Sequence, residues 1–363
     1  MSSINAIPFI DKGKVFFYNV MQKERKMKKF LIPNEGKFYK ANLHCHTTIS
    51  DGKFTPEEIK QAYLDKGYSI VAYTDHDVLV CHDDLTDDNF LALNGYEMEF
   101  NHAELPDDNS GRSGKKTAHI CFIAIDKDNK TACCLHRSKY LIGNSKNYVE
   151  SCKYDSTADF EREYSPECIN TVIKKCREAG YFVTYNHPTW STERYYDYIN
   201  YKGMHAMEIV NGECQALAYD EYNPRVYDDF LDVGNKIYCV ATDDTHKPRG
   251  MFIGWTVIKA PSLEYNEITK ALLNGNFYAS EGPEIKELYI EDGFLCIETS
   301  PVKSICFNNS KRRGIRTSAE DGEFVTFAKF PIFDNDGYVR LTVVDERGKH
   351  ANTNAYDAKE ILK

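Results

Sequence analysis

Residues 42–52 read Asn42-Leu43-His44-Cys45-His46-Thr47-Thr48-Ile49-Ser50-Asp51-Gly52, and this stretch decides how the chain is organised. His44 and His46 stand two positions apart, so on a β-strand both imidazoles point to the same face. Asp51 follows in a run of Thr, Ser and Gly that is typical of a loop leaving a strand. Neutral imidazoles with a carboxylate suit borderline divalent metals such as zinc, manganese or iron. Because a His-x-His pair alone is a weak signal, the prediction of a metal site depends on the rest of the chain.

The rest of the chain repeats one unit: a helix, a glycine, a short apolar strand and then a polar residue able to bind metal. In the first copy, the capping box Thr55-Pro56-Glu57-Glu58 predicts a helix through Lys66 that ends at Gly67. The apolar strand at residues 68–73 follows and ends in Thr74-Asp75-His76-Asp77. Metal-competent residues stand on or after further strands at Gly95-Tyr96-Glu97, Ala118-His119-Ile120, Asn186-His187-Pro188 and Asp244-Thr245-His246.

Apolar strands that alternate with helices predict an α/β fold with a parallel sheet covered on both faces. Polar residues gathered at one end of many such strands favour a (β/α) barrel with its site at the C-terminal rim. An open doubly wound sheet is the alternative, but its site would draw on fewer strands.

The chain divides into three predicted parts. Residues 1–37 are an irregular lead-in, and residues 38–282 form the barrel. From about Pro283 the pattern changes to short strand-like pieces separated by Gly, Asn and Asp turns, which predicts a β-rich accessory domain over residues 283–363. Residues 103–116 form a polar, Gly/Ser-rich stretch that predicts a poorly ordered loop.

The composition excludes several classes of protein. The 363 residues carry a formal net charge of −10, which disfavours general nucleic-acid binding through a basic patch. Apolar runs are too short for a signal sequence or a membrane span, so we expect a cytoplasmic protein with no membrane partner. The 12 cysteines include no Cys-x-x-Cys pair and predict buried, reduced thiols.

Nine residues at the predicted strand ends and in the adjoining loop are of types that bind metals. They are His44, His46, Asp51, His76, Glu97, His119, His187, Asp244 and His246. Their motifs and their order resemble the polymerase and histidinol phosphatase (PHP) family of metallophosphoesterases, over roughly residues 38–282. The resemblance implies a distorted seven-stranded (β/α) barrel.

The resemblance also implies two to three divalent ions, namely zinc, manganese or iron. It places the first on His44, His46, Glu97 and Asp244. The second would lie on Glu97, His119 and His187, so that Glu97 bridges two ions, and the third on Asp51, His76 and His246. Some family members have histidine where this chain has Asp51, whose carboxylate would make the third site harder and more anionic.

The function implied is a metal-dependent phosphoesterase, either a phosphatase or a phosphodiesterase, acting on a small anionic phosphomonoester or phosphodiester. A hydroxide bridging two metals would attack the phosphorus. The predicted catalytic residues are Glu97, Asp244 and Arg249, with Arg249 binding the phosphate or, alternatively, forming a surface salt bridge. Asp75, Asp77 and Asp243 are candidate partners for ligand imidazoles. Trp190, Tyr195 and Tyr196 either line a substrate pocket or pack their own loop.

Two other functions stay open. A metal-dependent carbamate or amide hydrolase could use the same scaffold, because a metal hydroxide also attacks a carbonyl. A non-catalytic metal-binding module is the second, although purely structural sites are usually closed four-ligand cages.

Overall fold

The computed structural model describes residues 6–11, 14–19, 28–102 and 116–363. In chain order the first strands are β1 Ala6–Asp11, β2 Lys14–Asn19, β3 Lys29–Phe30, β4 Lys37–Asn42, β5 Ile70–Tyr73, β6 Leu91–Asn101, β7 Thr117–Ala124, β8 Thr131–Ala132, β9 Lys153–Tyr154, β10 Tyr181–Asn186, β11 Ala206–Asn211, β12 Tyr238–Thr242, β13 Trp255–Ala260 and β14 Phe277–Ser280. The remaining strands are β15 Ile285–Glu291, β16 Phe294–Val302, β17 Ser304–Asn309, β18 Ile315–Ser318, β19 Val325–Pro331, β20 Tyr338–Val344, β21 His350–Thr353 and β22 Tyr356–Asp357. The helices are α1 Pro56–Leu64, α2 Pro166–Glu178, α3 Tyr195–Tyr198, α4 Gly212–Ala216, α5 Pro224–Asp232, α6 Tyr265–Leu273 and α7 Ala358–Ile361. Of the loop predicted over residues 103–116, residues 103–115 lie outside the described part of the chain.

The first helix begins as its sequence predicts. The Thr55 hydroxyl accepts a hydrogen bond from the Glu58 amide, and the Glu58 carboxylate accepts one from the Thr55 amide, so the capping box is confirmed. The helix ends at Leu64, two residues earlier than predicted, and Gly67 then adopts a positive φ of 72°. That left-handed turn directs the chain into β5.

Most strands belong to one mixed sheet of 14 strands. Its order is β12-β11-β10-β7-β6-β5-β4-β13-β14-β21-β20-β17-β18, with β22 paired to β20. β4, β5 and β6 are parallel, and so are β10, β11 and β12, but β7 is antiparallel to both of its neighbours. The sheet is therefore mixed, whereas the sequence pattern predicted a parallel one.

The predicted distorted seven-stranded (β/α) barrel is not confirmed, because the described strands form an open sheet and not a closed barrel. To close a barrel, β12 would have to pair with the free edge of β4. That edge is instead paired with the antiparallel strand β13, from Thr256 opposite Ala41 to Ala260 opposite Lys37. Beyond the end of β4, the chain meets the end of β12 through the isolated parallel bridge of Cys45 with Thr245. The strand ends converge there, although the sheet remains an open path.

The strands of the α/β region are packed on both faces. Every residue of β5, β7, β10 and β11 is buried, and α1, α2, α5 and α6 turn apolar side chains towards them. Strands buried on both faces leave their ends as the place where most polar side chains can meet solvent or a ligand. The predicted metal-binding residues lie at those ends.

The C-terminal region is rich in sheet, as predicted. A four-stranded sheet, β19-β16-β15-β3, packs against strands of the large sheet over a shared core that includes Leu288, Ile297, Phe307 and Leu341. The region also contains the single-turn helix α7, so it is not purely β.

Part of the lead-in predicted as irregular is regular. β1 and β2 form an antiparallel hairpin, and β3 joins the C-terminal sheet by pairing with β15. The sequence signal for the hairpin is a two-residue connection between two apolar runs.

A buried ion pair helps to hold the C-terminal region on the α/β region. β14 pairs with β21, which continues one sheet across the boundary predicted at residues 282 and 283. Arg340 on β20 donates from Nε and Nη2 to the two carboxylate oxygens of Asp228 on α5, at 2.7 Å each. The Arg340 side chain is 4% exposed, so its charge depends on this partner.

We predict that Asp228→Ala lowers the free energy of unfolding by about 2–3 kcal/mol, because it leaves the Arg340 guanidinium buried and unpaired. Urea unfolding followed by circular dichroism measures this change. Lys236→Ala is the matched control, because it removes an ion pair with Glu360 in which both side chains are exposed. This variant should unfold at the same urea concentration as the parent protein. Equal free energies of unfolding for Asp228→Ala and the parent protein would contradict a stabilising role of the Asp228–Arg340 ion pair.

Candidate metal centre

All nine predicted ligands meet at one rim of the sheet. His44 and His46 follow β4, His76 follows β5, His187 follows β10, and Asp244 and His246 follow β12. Glu97 lies within β6. His119 is the third residue of β7, and because β7 is antiparallel, its start lies at the rim where the neighbouring strands end. Seven of the nine are buried, while the side chains of His246 and Asp51 are 21% and 33% exposed.

The first group joins His44 and His46 with two carboxylates. Nε2 of His44 and Nε2 of His46 lie 3.0 Å apart, and each lies 3.2 Å from Asp244 Oδ1. Each also lies 3.3 Å from an oxygen of Glu97. Donor atoms that share one metal at about 2.0–2.2 Å stand roughly 3–3.5 Å apart, so this spacing suits a common ion.

The second group shares Glu97 with the first. His119 Nδ1 lies 3.2 Å and His187 Nε2 lies 3.5 Å from Glu97 Oε1. The side-chain amide of Asn186 donates from Nδ2 to the same oxygen at 2.7 Å, which holds the carboxylate in place. Glu97 therefore stands between two sets of imidazoles, the position that a bridging ligand needs.

The third group is wider and more exposed. Asp51 Oδ2 lies 3.4 Å from His246 Nε2, and Asp51 Oδ1 lies 3.9 Å from His76 Nε2 and 3.8 Å from His46 Nδ1. Gly52, next to Asp51, lies against the carbonyl of His46, where an added Cβ would clash. The close packing of this glycine brings the loop back onto the strand end.

The donor set fits divalent cations. Among the described residues, His76 Nδ1, both ring nitrogens of His119 and Asp244 Oδ1 are buried without a hydrogen-bond partner. Burial opposes protonation of His46, but the neighbouring carboxylates of Asp244 and Glu97 outweigh burial and raise its pKa to about 10. In the protein without metal, a proton thus balances the buried carboxylates. A cation would take over that role, and its binding would release protons.

Two predicted ligands have a strained backbone. His187 and Asp244 adopt positive φ angles of 26° and 52°, although neither is glycine. Such conformations cost on the order of 1–3 kcal/mol and cluster at functional sites. Here they turn the chain at the ends of β10 and β12, so that His187 faces Glu97 and Asp244 faces His44 and His46.

The sequence pattern did not single out Glu208, a carboxylate that contacts the His44 ring and the His187 backbone on the side away from Glu97. It lies in the middle of the apolar strand β11 and is fully buried. Its Oε1 lies 2.7 Å from His44 Nδ1 and accepts from the Thr242 hydroxyl at 2.8 Å. Its Oε2 accepts from the His187 amide at 3.1 Å and from the Asn211 side chain at 2.8 Å. The signal in the sequence was a lone glutamate within Ala206-Met207-Glu208-Ile209-Val210.

The three aspartates predicted as partners of imidazoles contact other groups. Asp75 accepts from the Thr47 amide and the Ser50 hydroxyl, at 2.8 and 2.7 Å, and so shapes the loop before Asp51. Asp77 pairs with Arg162.

Asp243 holds a loop and does not face the imidazoles. It accepts from Tyr63 and from the amides of Phe252, Ile253 and Gly254 at 2.7–3.0 Å. Of the two aspartates, Asp244 is the one whose carboxylate faces His44 and His46.

The remaining candidates lie around the rim. Arg249 donates from Nη2 to Glu213 Oε1 at 2.8 Å. This is a salt bridge, the role predicted for Arg249 as the alternative to binding phosphate. Trp190 packs edge-on against His119 and His187, with ring centroids 5.3 and 5.0 Å away, so it lines the centre. Tyr195 and Tyr196 on α3 are largely exposed.

We predict that Glu208→Gln weakens metal binding by about 10- to 100-fold. The partners of Glu208 present donors to both of its oxygens, so a glutamine amide would set one NH₂ against another donor in either orientation. Competition with a chromophoric chelator measures the affinity. Asp229→Asn is the matched control, because it changes another buried carboxylate, bound to Tyr198 and Arg225. Parent-like affinity in Glu208→Gln would show that Glu208 does not position His44.

Comparison with known proteins finds structural likeness at low sequence identity. No protein-family model matches the sequence, and no curated protein matches it. The chain is similar to a two-domain protein from Bacteroides vulgatus ATCC 8482 that contains a predicted PHP-like metal-dependent phosphoesterase. The identity is 15% over 89% of this chain and 95% of that chain, with a TM-score of 0.41.

Two further solved structures are similar over a shorter part of the chain. A proposed metal-dependent phosphoesterase from Bifidobacterium adolescentis ATCC 15703 is 15% identical over 60% of this chain and 90% of its own, with a TM-score of 0.37. An amidohydrolase from Chromobacterium violaceum is 16% identical over 57% of this chain and 88% of its own, with a TM-score of 0.35. The structural neighbours thus include proteins described as PHP-like and as metal-dependent phosphoesterases, the family that the sequence motifs resemble.

Proposed function

We propose that this chain is a metal-dependent hydrolase that cleaves a small phosphomonoester or phosphodiester. The observation that carries the proposal is the convergence of imidazoles and carboxylates on Glu97, in a centre that is open to solvent on one side. Asp51 and His246 form that open side, with side chains 33% and 21% exposed. A substrate needs such an opening to reach the ions.

Each residue has a part in this proposal. The first site would use His44, His46, Glu97 and Asp244, the second Glu97, His119 and His187, and the third Asp51, His76 and His246. Bound ions would supply positive charge that polarises a substrate oxygen and makes water a better nucleophile at neutral pH. Glu208 holds the ring of His44, and Asp75 holds the loop that carries Asp51. Trp190 packs edge-on against the rings of His119 and His187 and so lines that side of the centre.

An enzyme explains this centre better than a purely structural metal site does. Structural sites usually enclose one ion in four ligands, with no position left for a substrate. Here the donors form overlapping groups that share Glu97, and the strain at His187 and Asp244 has no evident purpose in a simple cage.

Among the described residues no helix has the length and apolar character needed to cross a bilayer.

Arg249 is proposed to bind the phosphate with the guanidinium donors that its present partner does not use. Its Nε and Nη2 donate to Glu213 Oε1 at 3.1 and 2.8 Å. The Glu213 side chain is only 6% exposed, so releasing it would leave a buried carboxylate unpaired, whereas the Arg249 side chain is 44% exposed. A charged hydrogen bond to a phosphate contributes about 1.5–3 kcal/mol, and a guanidinium suits phosphate geometrically. Because a guanidinium carries five N–H donors, Arg249 can bind a phosphate and keep its hydrogen bonds to Glu213. A neutral carbamate, the substrate class of the alternative function, would not need Arg249 in this way.

We predict that the metal-loaded protein hydrolyses p-nitrophenyl phosphate or bis(p-nitrophenyl) phosphate faster than a p-nitrophenyl carbamate. Inorganic phosphate at millimolar concentration should inhibit competitively. Arg249→Ala should lower kcat/KM for the phosphate ester by the factor that corresponds to about 1–3 kcal/mol of lost transition-state stabilisation, and it should weaken the inhibition by phosphate. The matched control is Arg347→Ala, which removes another exposed arginine paired with a carboxylate, Asp345; it should leave both values unchanged.

Two outcomes would correct this proposal. Rapid turnover of the carbamate, without inhibition by phosphate, would favour the carbamate or amide hydrolase. Phosphate inhibition that is equal in the parent protein and in Arg249→Ala would keep the phosphoesterase but remove Arg249 from its site.

A further inference from the structure

Three cysteines form a cluster away from the histidine-carboxylate centre. Cys133 and Cys134 directly follow β8, and Cys176 lies in the last turns of α2. Their side chains are buried, with residue exposures of 2%, 3% and 0%. Their three sulfur atoms all lie within 4.8 Å of one another, and the sulfurs of Cys133 and Cys134 are 3.6 Å apart.

The backbone at this point is turned so that neighbouring side chains meet. Adjacent residues in an extended segment point to opposite sides, which would separate the sulfurs of Cys133 and Cys134. Cys134 instead has a positive φ of 59°, in the left-handed region that costs a non-glycine residue roughly 1–2 kcal/mol. The strain places both thiols on the same side, towards Cys176.

The surroundings of the cluster are partly polar. The Tyr96 hydroxyl donates to the Cys133 carbonyl at 3.0 Å, accepts from the Cys133 amide at 3.1 Å and lies 3.6 Å from the Cys176 sulfur. Asp155 stands at the exposed edge, where its Oδ2 accepts from the Cys134 amide at 3.4 Å.

The cluster is separate from the predicted hydrolytic centre. Tyr96 and Glu97 are adjacent residues of β6, so their side chains lie on opposite faces of the sheet. Glu97 faces the imidazoles, whereas Tyr96 faces the thiols. An ion among the thiols would therefore share no ligand with the centre around Glu97.

We propose that Cys133, Cys134 and Cys176 bind a thiophilic divalent cation of the zinc type, with an oxygen of Asp155 or a water as the fourth ligand. Thiolates select soft and borderline metals, and a tetrahedral zinc–thiolate site with bonds of about 2.3 Å has sulfurs about 3.8 Å apart. The observed 3.6 Å is close to that spacing. The ion replaces the thiol protons and ties the end of β8 to α2. Such a site is structural and does not depend on the proposed hydrolase activity.

Cobalt(II) is the probe, because thiolate ligands give it an intense near-ultraviolet charge-transfer absorption that imidazole and carboxylate ligands do not. We expect the reduced, full-length protein to develop this absorption with Co²⁺ and to lose it when zinc is added. Cys176→Ser should abolish most of it. Cys121→Ser is the matched control, because Cys121 lies beside His44 and Glu97 in the other centre, and it should keep the absorption.

A second measurement uses the parent protein alone. Zinc should protect Cys133, Cys134 and Cys176 from alkylation, as read by peptide mass spectrometry, while other thiols react as before. The proposal is overturned if the absorption is absent, if it is lost in Cys121→Ser but kept in Cys176→Ser, or if zinc protects none of the three. Formation of a disulfide among them in place of metal binding overturns it as well.

Discussion

The structure depends on how the charge of one buried carboxylate is compensated. Glu97 is 1% exposed, and five imidazoles on or after four different strands lie 3.2–3.5 Å from its oxygens, those of His44, His46, His76, His119 and His187. Burial disfavours the charge, yet the facing imidazoles hold the pKa of Glu97 well below its usual value. An uncompensated carboxylate at this depth would be strongly destabilising. The rim of the sheet is therefore built around a negative charge that must attract protons or metal ions.

The topology brings the compensating groups together without a closed barrel. β4, β5, β10 and β12 each deliver ligands beyond their C-terminal ends, and the antiparallel β7 contributes His119 near its start. The bridge between Cys45 and Thr245 draws the ends of β4 and β12 together. Glu208 and the strained turn at His187 then set how the imidazoles approach Glu97, and the strained turn at Asp244 sets how its carboxylate approaches His44 and His46. A cluster of imidazoles and carboxylates suited to divalent metals can thus form at one edge of an open, mixed sheet.

Local features of this chain were predictable from sequence, whereas features that depend on distant partners were not. The capping box at Thr55 and the nine candidate ligands follow from short patterns of residue type. The pairing of β13 with β4, which prevents a closed barrel, joins segments more than 200 positions apart and leaves no local signal. Glu208 looked like one polar residue in an apolar strand until its partners were placed around it. The turn at Cys134 was equally hidden, because a positive φ at a cysteine has no residue signature.

Anomalous diffraction from crystals grown with zinc or manganese would show directly whether ions bind at Glu97. At the absorption edge of the metal, we predict at least two peaks flanking Glu97, one among His44, His46 and Asp244 and one between His119 and His187. A protein with ordered side chains but no anomalous peak within bonding distance of Glu97 would contradict this prediction.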